Sequence, residues 1–103
     1  MNAFEIYCNY AAACRQAREL ENISRKIKHN AESYISGMIR SLDSHWNGDA
    51  SKAFIEKEKR LAEKMLNEAL SLQQVADTIR RIAQRTYEAE MRALELSRKR
   101  SYS

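Results

Sequence analysis

Proline is absent from this 103-residue chain, and glycine occurs only twice, at Gly37 and Gly48. Without proline, nothing removes a helical hydrogen bond anywhere along the sequence. Long apolar runs are missing too. None approaches the roughly 18 consecutive apolar residues that a membrane-spanning helix needs. At the start of the chain, Asn2, Glu5 and Asn9 interrupt any apolar core and no basic residue precedes Arg15, so a Sec-type leader is not expected. The only cysteines are Cys8 and Cys14, with no Cys-x-x-Cys, and His29 and His45 do not complete a metal-ligand set, so neither a metal nor a cofactor is expected. Six residues of helix turn the two thiols roughly 240° apart, so they cannot bridge within one helix. They read as two small buried apolar side chains; a cross-chain disulfide in an oxidising compartment is the alternative. No nucleophile with a base at believable spacing appears, no Gly-rich phosphate loop, and no carboxylate pair forced into a pocket. Asp43, Ser44 and His45 carry the side chains of a catalytic trio, but adjacent residues cannot converge as those roles require. An enzyme is therefore not expected.

What remains is helix, broken once. Trp46-Asn47-Gly48 lies close to the midpoint and holds the only Trp. Asn and Gly tolerate positive φ and can reverse a chain, and Asp49 suits the N-cap of a following helix, its carboxylate at the positive end of the dipole. Asp43 sits less favourably, near the negative end of the first helix. The expected organisation is one all-α domain, an antiparallel hairpin of two long helices. Helix 1 spans about 3–43, the turn 44–49, helix 2 about 50–97, and a disordered basic tail 98–103. Trp46 beside the turn is expected to fold its indole across both helix ends.

In helix 1, Tyr7, Tyr10, Cys14, Ala17, Leu20, Ile23, Ile27, Ala31, Tyr34, Met38 and Leu42 step by threes and fours, the spacing of one face. Ile35 and Ile39 widen that face, so more than one neighbour packs there. Gly37 inside the pattern either lets a second helix approach closely or is a tolerated weak spot. In helix 2, Leu72, Val75, Ile79, Ile82, Thr86, Ala89, Ala93 and Leu96 form a heptad seam, continued toward the turn by Leu61, Met65 and Ala69. Beside it runs a second stripe of Ala62, Leu66, Leu70, Gln73, Ala76, Ala83 and Tyr87. One stripe closes the hairpin; two imply a partner, because an apolar row left in water is rarely tolerated by a monomer. Ile35, Ile39, Leu66, Leu70, Val75, Ile79 and Ile82 are the candidate partner-facing residues.

Eighteen basic residues against fourteen acidic give a net charge of +4, and the excess gathers from Arg80 onward. A solvated face with a frayed tail accounts for it. The alternative is a coiled-coil adaptor whose basic end, through Arg80, Arg81, Arg92 and Lys99, docks on acidic protein or nucleic acid. No recognised nucleic-acid motif accompanies the charge, which speaks against nucleic acid.

A chain of this length forming a helical hairpin with Trp-x-Gly at the bend resembles the WXG family, the small ESAT-six-like proteins of type VII secretion. Trp46-Asn47-Gly48 carries the resemblance, followed by Asp49-Ala50 and by Phe54 one turn into helix 2. The resemblance implies a four-helix-bundle dimer, homodimeric or heterodimeric, made in the bacterial cytoplasm. It also implies a protein secreted, or escorting a partner, through a machine driven by a membrane ATPase. The mate would be a second copy, another small helical protein, or the helical targeting domain of an LXG-type toxin. Many members carry an export signal of Tyr, three residues, then an acid. Here Tyr87 is followed four residues on by Met91, and the acid at Glu90 comes one position early. Either Tyr87 with Glu90 is a variant signal, or the partner supplies it, or Tyr87 is a packing residue.

Overall fold

The computed structural model describes residues 1–45 and 48–101, with side chains for 1–41 and 48–101. Two helices make up the fold, α1 over Ala3–His45 and α2 over Asp49–Ser101, and they pack on each other as an all-α helical hairpin. Contacts divide the chain into two compact units. The first joins Met1–Glu21 to the part of α2 from Gln74 onward, and the second is Asn22–Gln73.

Local chemistry fixes the helix ends. The Asn2 side-chain oxygen accepts the Glu5 amide at 2.8 Å while the Asn2 carbonyl accepts the Ile6 amide at 3.1 Å, so Asn2 is the N-cap of α1. Gly48 has φ of 128°, a backbone that L side chains rarely adopt, as the turn chemistry anticipates. Its carbonyl accepts the Lys52 amide at 3.2 Å and the Ser51 hydroxyl at 2.8 Å. Gly48 therefore occupies the N-cap expected of Asp49, which instead takes the first helical position, still beside the positive end of the dipole. At the other end α2 does not fray at residue 98. It continues through Arg98, Lys99 and Arg100 to Ser101, because cations in a last turn suit the negative end of a helix. The Trp46 indole, Asn47, the Asp43-Ser44-His45 side chains and the last two residues of the expected tail lie outside the described residues.

The core is made of very small side chains. Apart from Ile6, every buried residue among those described is alanine or serine. In the first unit these are Ala17, Ala76 and Ala83; in the second, Ser24, Ala31, Ser51, Ala62 and Ala69. On α1 the buried positions 17, 24 and 31 recur every seven residues, and so do 62, 69, 76 and 83 on α2. A heptad row of methyl groups allows two helix backbones to come close, since interaxial distance follows side-chain size. Ser24 fits such a row because its hydroxyl donates to the Ala69 carbonyl at 2.6 Å, leaving no unpaired polar atom inside.

Three expectations change accordingly. The α1 seam follows Ser24 rather than Ile23, and Tyr7, Ile23 and Tyr34 are exposed. Cys14 is half-buried, but Cys8 is exposed, so only the first behaves as a partly packed apolar group. Gly37 is exposed, and a Cβ placed on it would meet nothing within 4 Å, so no helix approaches there among the described residues.

Candidate functional site

Val75, Ile79 and Ile82, named above as partner-facing candidates, lie outside the buried alanine row of α2. Val75, Ile82 and Leu96 are exposed, and Ile79 is half-buried, while the alanines of the neighbouring stripe are covered. A wide apolar flank of α2 thus stands beside the alanine seam, and in each unit it borders an open groove.

In the first unit the groove holds about 250 Å³. Ile6, Tyr10 and Ala13 line it from α1, and Ile79, Ile82, Thr86 and Tyr87 from α2. The Tyr10 and Tyr87 rings form its aromatic part, with centroids 5.1 Å apart and planes tilted by 42°, an arrangement that favours both rings. Interaction with the Cys14 side chain raises the Tyr10 phenol above its ordinary value. Glu90 lines the same groove and also the shallower hollow next to it, beside Met1, Ile6 and Leu94. Tyr87 and Glu90, the candidate signal pair, therefore share one surface with Ile79 and Ile82, and Val75 stands one turn before Ile79.

On the same unit, Arg80 is not available for phosphate. It is bonded to the Glu21 carboxylate and stands 3.6 Å from Asp77, and the hydrogen bond to Glu21 raises it further above its already high value. Arg81 donates to the Thr78 hydroxyl at 3.1 Å and Lys99 pairs with Glu95 at 3.8 Å. Arg80 is thus engaged by a largely buried carboxylate, while Arg81 and Lys99 remain exposed.

The second unit carries an equivalent hollow of about 280 Å³ between Asn30 and Tyr34 of α1 and Glu58, Leu61 and Met65 of α2. The Tyr34 hydroxyl donates to the Glu58 carboxylate at 3.2 Å, and that negative charge raises the Tyr34 phenol above its ordinary value. Of the remaining partner-facing candidates, Leu70 is exposed, and Ile35, Ile39 and Leu66 are half-buried, all within this unit. The turn residue Gly48 is placed; Trp46 is outside the described residues.

No family model, curated protein or solved structure matches this chain. Its reading rests on its own residues. Among those described, no group of three or more His, Cys, Asp or Glu could hold a metal ion, and no helix is long and apolar enough to cross a membrane. What the surface offers is apolar area in grooves between two helices, a geometry suited to receiving another helix.

Sequence reasoning missed Ser24 and the pairing of Tyr10 with Tyr87. The strict seven-residue recurrence of Ala62, Ala69, Ala76 and Ala83 was the available signal for the seam, but the sequence reading divided these alanines between two stripes. Nothing local marks Tyr10 as the mate of Tyr87, since they lie on different helices.

Proposed function

We propose that this chain is a small helical-hairpin protein of the WXG kind that works by helix-helix binding within type VII secretion, as a secreted substrate or as an adaptor for one. It acts by docking rather than by catalysis. The observation that carries the reading is the inverted hairpin: alanine and serine inside, with Leu61, Leu70, Val75, Ile82 and Leu96 outside. A core built of methyl groups supplies little hydrophobic stabilisation for its length. A partner lying on the α2 flank supplies the missing burial and removes the exposed apolar row from water. The central Trp46-Asn47-Gly48, the chain length and the two long helices support the WXG reading.

In this reading the protein is made in the bacterial cytoplasm and leaves it folded, paired with a second copy, a small helical relative or the helical domain of an LXG-type toxin. The secretion ATPase then reads Tyr87 and Glu90, or the partner carries that signal. For the alternative, a basic coiled-coil adaptor, Arg80 is the residue that the fold engages internally, through Glu21.

Light scattering of the purified chain, alone and co-expressed with its genomic neighbours, tests the docking reading. A dimer alone identifies self-pairing, and aggregation relieved by one neighbour identifies a heteropartner. A monomer whose melting is independent of concentration and of every neighbour contradicts it. Replacing Tyr87 or Glu90 should abolish export while helicity persists; normal secretion of both variants places the signal elsewhere.

A further inference from the structure

Glu90 is the one charged residue lining the groove of the first unit. On α2 it stands seven residues after Ala83, so it takes the place where the alanine row of 62, 69, 76 and 83 would next recur. It is half-buried. No base is near it in the helix: the residues three and four away are Thr86, Tyr87, Ala93 and Leu94. The α1 residues that line the groove itself, Ile6, Asn9, Tyr10 and Ala13, are uncharged; Met1, which bears the terminal ammonium, lines only the adjoining hollow and forms no ion pair with Glu90. The α2 bases nearest in sequence, Arg85 and Arg92, are exposed and belong to other rows of the helix.

An open groove lets water solvate this carboxylate. A helix laid across the groove removes that water, and an ion closed into an apolar interface without a counter-ion costs more than the apolar contacts around it return. The occupant must therefore bring a cation to this point. A second copy meeting this surface with the same surface brings no basic side chain, since Ile79, Ile82, Thr86, Ala93 and Leu94 hold none and Glu90 would be duplicated. Resting on the docking reading above, we propose that the groove receives an amphipathic helix of a different chain, one whose apolar stripe is interrupted by a single Lys or Arg that pairs with Glu90. The base fixes the register of the incoming helix, because any slip returns the carboxylate to an apolar neighbour.

Three synthetic helices test this on the full chain. They share one leucine stripe and differ at its central position, which is Lys, Leu or Glu. The Lys helix is expected to bind at least about tenfold more tightly than the Leu helix, with the Glu helix weakest. Glu90→Leu should reverse the order of the Lys and Leu helices while the circular dichroism of the chain stays unchanged. Equal or tighter binding of the Leu helix to the unaltered chain overturns the inference and leaves the docking reading standing. Failure of all three helices to bind both forms of the chain overturns both. A salt-resistant homodimer that shields Glu90 also overturns the inference.

Discussion

Replacing Ala76 with Leu separates two accounts of the hairpin by the sign of the effect. Ala76 is fully buried, midway along the α2 row between Ala69 and Ala83. Leucine and alanine differ little in helix propensity, so the substitution reports packing. If the seam were loose enough to admit the side chain, three added carbons would stabilise the fold by about 2 kcal/mol. The structure predicts the opposite. The seam closes on a methyl group, and forcing a larger side chain into it displaces helices or rotamers at a cost of about 1 to 3 kcal/mol. For a domain of this size that is a fall in melting temperature of roughly 4 to 20 °C. The assay is thermal unfolding followed by circular dichroism, repeated at several protein concentrations because association shifts the midpoint. A raised melting temperature with unchanged helicity would refute the close-packed alanine seam, and with it the argument that the larger stripe faces a partner.

Four further outcomes follow from particular residues. Gly37→Ala should stabilise the chain by about 0.5 to 1 kcal/mol, since the site is helical, exposed and open, and a lowered midpoint would mean that something packs there. Arg80→Ala should lower the midpoint, because it removes a charged hydrogen bond to Glu21, whose side chain is only 14% exposed. Arg60→Ala, in an exposed pair with Glu56 at 4.0 Å, should leave it within error; equal effects would contradict the distinction. Tyr10 and Tyr34 are both raised in the fold, so the stability they lend is complete below the ordinary tyrosine value near 10 and is lost as pH rises through the higher folded values. Alkaline melting curves of a Tyr10→Phe, Tyr34→Phe double variant should therefore decline less with pH than those of the parent; parallel curves would contradict the assigned shifts.

Sequence alone determined that the chain is helical, that it turns once near Gly48, and that α2 carries two apolar rows. Those features are local: the absence of proline, the freedom of glycine at positive φ, and the repeat of side chains at helical spacing all act within a few residues. Tertiary structure decided which row lies inside. Periodicity marks rows without ranking them, so the row of Leu72, Val75, Ile79 and Ile82 and the row of Ala62, Ala76 and Ala83 beside it could each have closed the hairpin. Two antiparallel helices met along Ala62, Ala69, Ala76 and Ala83, where small side chains permit close approach. Ser24 was invisible for the same reason, since its polarity is harmless only once the Ala69 carbonyl stands opposite. The groove shared by Tyr10, Tyr87 and Glu90 likewise exists only after segments far apart in the chain are brought together, because no spacing rule within one helix can say what the other helix leaves uncovered.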